Sequence, residues 1–236
     1  MHDNEDTYLD RTSNAVYSSL GEFFSSPIIS GLCQVNPISA GIASYIGGSY
    51  QQYRYKTLED FLYLLDVNLK SVEEKYIDKA FIESPEGQRI IGKVFRAIQN
   101  DNRKEKLEAM ANLTTNIYTV FTSRKVSFDE KELYVGILDG LNSLQLSILQ
   151  KAMEDIKARV SNQHRGFGWE IMGEHYERKG ITRALLLQSI SVLESNGIVN
   201  KNTATISEND KTHFITFFGE QFYAFISHVI SNEDEN

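Results

Sequence analysis

Residues 193–199 read Leu-Glu-Ser-Asn-Gly-Ile-Val, and this stretch decides how the last third of the chain folds. Gly197 is expected to end a helix, because glycine adopts at little cost the left-handed conformation that closes helices. The β-branched residues Ile198 and Val199 follow at once, and such residues favour strands. The stretch therefore predicts a change from helix to strand within a few residues.

The sequence on either side of this stretch predicts two more helices before it, and a strand and a helix after it. Apolar residues recur at helical spacing over residues 144–158 and 169–178, and again from Ile181 to Leu193. A second strand is predicted over residues 213–218, and the last helix begins at Gly219. The side chains expected to face the core are Leu146, Leu149, Met153, Leu186, Ile190 and Leu193.

Three helices, a two-stranded wing and a closing helix over residues 142–230 resemble the winged-helix superfamily. At the position of residues 193–199, many members have the pattern L-E-x-x-G-(I/L)-(I/V). At the position of residues 217–222 (FFGEQF), they have the pattern L-T-x-x-G-x-x-(F/L). The resemblance implies a fold and not a ligand, because winged helices bind DNA in some families and only proteins in others. The whole chain is also similar to uncharacterised bacterial helical proteins of the abortive-infection alpha type, a similarity carried by the order of its two modules.

Upstream, residues 54–141 predict an antiparallel helical bundle, so the fold class is mainly α. Capping signals predict that its helices begin near Thr57, at Ser84-Pro85, near Asn102 and at Ser127. Apolar residues follow each start at helical spacing. The side chains expected to be buried are Leu58, Phe61, Leu62, Leu65, Leu69, Ile90, Ile91, Val94, Phe95, Ile98, Leu107, Met110, Leu113, Ile117, Leu133, Ile137 and Leu141.

Residues 23–53 carry no charged side chain, although 24% of the chain is charged. Prolines, glycines and serines interrupt this segment too often for a membrane-spanning helix. We predict a short helix after Pro37 that packs against the bundle, and the alternative is an apolar arm that docks on a partner, a second copy or a membrane. Residues 1–22 and the acidic residues 231–236 are expected to be polar, solvated ends.

The composition excludes several classes of protein. The 236 residues include 24 basic and 32 acidic side chains, for a net charge of -8, which disfavours a protein that coats nucleic acid non-specifically. Cys33 is the one cysteine, so a disulfide framework and a thiolate metal cage are both excluded. The acidic start lacks the basic residues of a signal peptide, and we therefore predict a cytoplasmic protein.

The third helix of the predicted winged helix is the element that would read DNA in the major groove. Arg183 and Gln188 have the donors needed to contact base edges. However, residues 142–230 carry nine basic and nine acidic side chains, so the release of counterions that dominates DNA affinity is expected to be small. The residues expected to contact a protein partner or nucleic acid are Thr182, Arg183, Gln188 and Ser189.

A second candidate surface lies in the predicted bundle. Residues 89–106 carry six basic side chains and two acidic ones, in a chain whose net charge is -8. Such a surface can hold nucleic acid, an anionic membrane or an acidic partner. The alternative is a solvated helix face that pairs with acidic neighbours such as Glu73, Glu74 and Asp78. We call this surface the basic stripe; it consists of Arg89, Lys93, Arg96, Arg103, Lys104 and Lys106.

No pattern of catalytic or metal-binding residues is present. Glu170, Glu174 and His175 share one face of a predicted helix, but a second histidine at the spacing of a zinc site is missing. We therefore predict no enzyme activity, no catalytic residue, no metal site and no cofactor. The leading hypothesis is a non-enzymatic regulatory protein that binds a protein partner or itself. The alternatives are a DNA-binding transcription regulator and a membrane-active or phage-defence effector.

Overall fold

The computed structural model of the protein describes residues 49–99, 101, 103–123, 125–158, 166–167, 169–201 and 213–230. Over these residues the chain is mainly helical, with one small antiparallel sheet. It divides into two units: Gly140–His228 is the second unit, and the described residues before and after it form the first. Within these ranges no helix is both long and apolar enough to cross a membrane. The helix predicted after Pro37 and the polar ends 1–22 and 231–236 lie outside the described residues.

The first unit is built from α-helices whose core lies where three of them meet. α1 packs along α4, and α3 contacts both of these helices. Phe61 of α1 meets Phe95 of α3 edge-on, with ring centroids 6.1 Å apart. The described helices are α1 (Ser49–Ser71), α2 (Lys79–Glu83), α3 (Pro85–Ile98), α4 (Lys104–Ile117), α5 (Val120–Ser123) and α6 (Phe128–Gly140), with a 3-10 helix at Glu74–Tyr76.

The predicted start of α3 and the predicted core of this unit are largely confirmed. Ser84 is the N-cap of α3, where its Oγ accepts the backbone N–H of Gly87 at 3.0 Å, and Pro85 takes the first helical position. This arrangement satisfies an otherwise unpaired backbone donor and uses the fixed φ of proline. Leu141, also predicted to be buried, is buried but belongs to the second unit. The predicted core side chains of the first unit that are buried are Leu58, Phe61, Leu62, Leu65, Leu69, Ile90, Ile91, Val94, Phe95, Ile98, Leu107, Met110, Leu113, Ile117 and Ile137.

Two predicted helix starts are wrong. α1 already begins at Ser49, so Thr57 lies inside the helix, where it is buried. A capping pattern marks a helix start only where the preceding residues leave the helix, and here they continue it. Arg103, not Asn102, is the N-cap of α4. The backbone N–H of Arg103 donates to Asp101 Oδ1 at 3.2 Å, so Asp101 orders the chain before this helix.

The start of α6 is confirmed, whereas one of its predicted core residues is wrong. Ser127 Oγ accepts the backbone N–H of Glu130 at 3.2 Å, as expected of an N-cap. Leu133 is 51% exposed, while Tyr134 and Leu138 are completely buried. Leu133 lies at the edge of the helical stripe that Tyr134 and Leu138 define, and its side chain therefore reaches solvent.

Buried polar side chains gather at the C-terminal end of α4. Asn116 Oδ1 accepts the backbone N–H of Ile230 at 2.8 Å, which joins the last described residue of the chain to the first unit. The backbone carbonyl of Asn116 accepts the hydroxyl of Thr119 at 3.0 Å and also that of Thr122. These bonds satisfy polar groups that would otherwise destabilise a buried site.

The second unit combines helices with three short strands. The strands form one antiparallel sheet in the order β1-β3-β2, in which Phe167 pairs with His213 and Val199 pairs with Ile215. α9 packs against α7, α8 and β2, while α10 packs against α7 and β3. The elements are α7 (Ser143–Ala158), β1 (Gly166–Phe167), α8 (Trp169–Glu177), α9 (Arg183–Ser195), β2 (Val199–Lys201), β3 (His213–Ile215) and α10 (Phe217–Ser227).

The change from helix to strand at residues 193–199 is confirmed. α9 ends at Ser195, and β2 begins at Val199. Gly197 adopts a φ of 71°, and the backbone N–H of Ile198 returns to the carbonyl of Leu193 at 3.0 Å. A left-handed glycine that closes a helix in this way costs little, because it has no Cβ.

Three details of the second unit differ from the predictions. β3 ends at Ile215 because Thr216 caps α10, so residues 217 and 218 are helical. Thr216 Oγ1 accepts the backbone N–H of Gly219 at 2.9 Å. Residues 166–167, which lie between two of the predicted helices, form a third strand, β1, that the sequence did not predict. Leu146 is half-buried, and Ile148 and Leu149 occupy the core beside it.

Candidate interaction face on the second unit

α9 is fixed by one buried face. Leu186, Ser189, Ile190 and Leu193 are between 0% and 3% exposed, and they follow one another at helical spacing. At the start of the helix, Thr182 Oγ1 accepts the backbone N–H of Leu185 at 3.4 Å. The contacts of α9 with α7, α8 and β2 hold the helix on the body of the unit, so its other side is presented on a rigid element.

The other side of α9 is an exposed surface that is uncharged over most of its length. Between Arg183 and Glu194 the helix carries no charged residue. Two leucines lie on this side, and Leu185 is 43% and Leu187 45% exposed. We call this surface the α9 face; its exposed members are Arg183, Ala184, Leu185, Leu187, Gln188, Ser191 and Ser195, and Glu194 is half-buried at its end.

Two exposed leucines were not among the predicted site residues, although the sequence contains a signal for them. Residues 185–187 are three leucines in succession. Successive residues of an α-helix point about 100° apart, so a helix with one buried face cannot bury all three. Leu186 takes the buried position, and Leu185 and Leu187 are left on either side of the exposed arc.

Of the predicted contact residues, Thr182, Arg183 and Gln188 are exposed at or near the α9 face. Ser189 is wrong as a contact residue, because it is only 2% exposed. Its Oγ donates to the backbone carbonyl of Leu185 at 2.8 Å, and this internal bond lets a hydroxyl occupy the buried stripe. The position of Ser189, three residues after Leu186, places it on the core side.

Glu194, at the end of the α9 face, contacts a histidine of the sheet. Its Oε1 lies 3.3 Å from His213 Nε2, and the Glu194 side chain is 29% exposed. Burial is the largest effect on His213 and lowers its pKa. Lys201 on the paired strand lowers the pKa as well, whereas Glu194 raises it. The net effect favours the neutral form of His213.

A further exposed apolar side chain lies next to the turn that ends α9. Phe217, the first residue of α10, is 74% exposed. Thr216, immediately before it, donates through Oγ1 to the carbonyl of Gly197 at 2.6 Å. This bond holds the start of α10 close to the turn that ends α9.

The first part of the basic stripe is paired with a carboxylate from another helix. Arg89 Nε lies 2.7 Å from Glu132 Oε1, and Arg89 Nη2 donates to Glu132 Oε2 at 2.9 Å. Lys93 Nζ lies 3.0 Å from the same Glu132 Oε1. Arg96 Nε donates to the carbonyl of Gly92 at 3.1 Å. Glu132 on α6 therefore pairs with two of the three basic residues that the sequence places on this part of α3.

The second part of the basic stripe is arranged around Asp101. Arg103 donates to both carboxylate oxygens of Asp101, and Lys106 Nζ lies 3.2 Å from Oδ2. Hydrogen bonds from Arg103 lower the pKa of Asp101 to about 2. Lys106 is buried and donates to the carbonyl of Asp139 at 2.6 Å, while Lys104 lies 3.5 Å from Glu108. These bonds favour the interpretation of a helix surface with internal ion pairs. Of the acidic partners expected from the sequence, Glu73 forms an ion pair with Lys75 and Glu74 with Lys79.

The described residues contain no group of three or more histidine, cysteine, aspartate or glutamate side chains able to hold a metal ion. Glu174 forms an ion pair with Arg178 at 2.8 Å, and the His175 ring packs edge-on against Tyr176. Lys131 is a buried amine whose pKa is lowered by burial, and its Nζ lies 4.0 Å from the centroid of the Phe81 ring.

No family model matches the chain, and neither does any curated protein or solved structure. Its function must therefore be argued from the residues and the geometry of the two units, and the α9 face is the strongest candidate among the described residues.

Proposed function

We propose that this chain is a non-enzymatic, cytoplasmic interaction or regulatory protein that binds another protein chain through the α9 face. The observation that carries the proposal is the exposure of Leu185 and Leu187 on a helix surface without charge between Arg183 and Glu194. The centres of protein interfaces are depleted in charged residues, and this uncharged surface with two exposed leucines fits that composition. The helical first unit, which we take as a bundle, is the scaffold in this proposal.

The order of elements in the second unit supports a winged-helix module. A helix, a strand, two helices, two strands and a helix follow one another, and β2 and β3 take the place of the wing strands. In such a module α9 is the third helix, the element that DNA-binding members place in the major groove. Here the corresponding face is uncharged between Arg183 and Glu194, where phosphate contacts would need lysine or arginine, and this favours a protein ligand.

The second candidate function is a DNA-binding transcription regulator. One observation favours it: Arg183 and Gln188 are both exposed on α9, and their donors suit guanine and adenine edges. Against it, Arg183 is the one basic residue within α9. A protein that neutralises few phosphates has little non-specific affinity for DNA, and this term is a large part of specific DNA binding as well.

A photo-crosslinking experiment tests the proposal directly. A photoreactive amino acid replaces Leu187 in the full chain, produced in its native cells, and the matched control places it at Gln150, an exposed position of α7. We expect covalent protein adducts from position 187 and not from position 150. Equal adducts at both positions, or none at position 187, would overturn the proposal.

Selection from a random pool of duplex DNA tests the second candidate. We expect no enriched sequence, and no sub-micromolar binding between about 50 and about 200 mM salt. Binding to a defined sequence that Arg183→Ala abolishes would replace protein binding by DNA binding as the function. Arg178→Ala is the control, because Arg178 is exposed and paired with Glu174 of α8.

A further inference from the structure

We infer that the α9 face binds the α9 face of a second copy of this chain, with the two helices antiparallel. The inference rests on the proposed function, because it names the partner of the same surface. It does not depend on whether the chain binds DNA. A chain that stays monomeric would overturn this inference but not the proposal that the α9 face binds a different protein.

The charges at the two ends of the α9 face are self-complementary. Arg183 is the first residue of α9, and Glu194 comes next to its last residue. At 3.6 residues per turn these two positions fall on nearly the same side of the helix, roughly 16 Å apart along its axis. A two-fold axis through the middle of the helix brings Arg183 of one copy opposite Glu194 of the other, and the pairing occurs twice. A parallel arrangement would bring like charges together.

The residues between these two charges suit a close helix contact. Leu187 follows Arg183 by four positions, and Ser191 precedes Glu194 by three, so all four positions lie on one stripe. In the antiparallel arrangement Leu187 of each copy comes opposite the small Ser191 of the other. Leu187 is 45% exposed, and a second copy would remove its apolar surface from water.

The charge of the whole chain also points to this surface. Two copies with a net charge of -8 repel each other, and the repulsion is weakest where the touching surfaces are uncharged. Between Arg183 and Glu194 the α9 face meets this condition.

The test uses two charge-reversal variants of the full chain, Arg183→Glu and Glu194→Arg. In each variant alone, like charges meet at both ends of the antiparallel pair. In an equimolar mixture, the glutamate introduced in one variant meets the arginine introduced in the other, and at the opposite end the native Glu194 meets the native Arg183. Sedimentation velocity is expected to show a dimer for the wild type, at least tenfold weaker association for each variant alone, and restored dimers in the mixture.

Two further variants keep the test decisive. Arg178→Glu changes an exposed arginine outside the α9 face and is expected to leave the dimer intact. Ser191→Lys places two ammonium groups near the two-fold axis without touching Glu194 or His213, and it is expected to dissociate the dimer even if Glu194→Arg fails to fold. A wild type that stays monomeric at high micromolar concentration overturns the inference. So does a dimer that is indifferent to Ser191→Lys, or a mixture of well-folded charge variants that does not associate.

Discussion

Asn116 and Ile230 are joined by a hydrogen bond of 2.8 Å, from the backbone N–H of Ile230 to Asn116 Oδ1. The second unit, Gly140–His228, lies between them in the sequence. The first unit is therefore formed by two separate parts of the chain, and a fully buried amide holds the later part in place.

Asn116→Ala is expected to destabilise the first unit by about 1 to 3 kcal/mol, because it leaves a backbone donor without its acceptor. Chemical denaturation followed by circular dichroism measures the change. Glu105→Ala, at an exposed position of the same helix, is the control and is expected to change the free energy of unfolding by less than about 0.5 kcal/mol. Equal effects of the two substitutions would contradict the role given to Asn116.

Leu193→Ala and Leu187→Ala compare the two sides of α9. Leu193 is completely buried, so its truncation leaves a cavity and is expected to lower the free energy of unfolding by about 2 to 5 kcal/mol. Leu187 is 45% exposed, and its truncation is expected to lower the stability of the monomer by less than about 1 kcal/mol. Both values come from denaturation at a protein concentration low enough to exclude association. A larger loss for Leu187 would mean that the exposed and buried faces are exchanged.

The buried stripe of α9 was predictable because Leu186, Ile190 and Leu193 repeat at helical spacing around a recognisable helix end. The burial of Ser189 was not predictable, because serine is usually a surface residue. Its hydrogen bond to the carbonyl of Leu185, which allows burial, is not evident from the sequence. The same limit applies to strand β1, whose two residues are extended because they pair with β3. Local sequence does not contain that partner.

The basic stripe illustrates a second limit of the sequence. The positions of Arg89 and Lys93 on one side of α3 were predictable from their spacing. Their carboxylate partner, Glu132, comes from α6 and is brought to them by the packing of the helices. The sequence predicts pairing with acidic residues as an alternative, but it does not identify Glu132 as the partner, because the two helices are far apart along the chain.

Acid is expected to destabilise the first unit through Asp101. Contacts with Arg103 and Lys106 lower the pKa of Asp101 from 3.8 to about 2, so the folded state favours the charged carboxylate. The contribution to stability is therefore complete above about pH 4 and is lost as the pH falls towards 2, with a magnitude of at most about 2 kcal/mol. Asp101→Asn should lower stability at neutral pH and flatten the pH dependence between these values. Urea denaturation over this pH range measures both effects, and an unchanged slope in the variant would contradict the assignment.

Gly219→Ala tests how closely α10 approaches the turn after α9. A Cβ at position 219 would lie 2.1 Å from the carbonyl oxygen of Ile198 and 3.0 Å from its carbon. Both atoms belong to the backbone, so the clash cannot be relieved by rotating a side chain, and we expect the free energy of unfolding to fall by about 2 kcal/mol or more.

Gly136→Ala is the matched control, because no atom lies within 4 Å of the added Cβ at that exposed helical position. Removing glycine from a helix there should stabilise the protein by about 0.5 to 1 kcal/mol. Thermal unfolding of the two variants is expected to shift in opposite directions, and a stabilising Gly219→Ala would show that α10 does not approach Ile198 this closely.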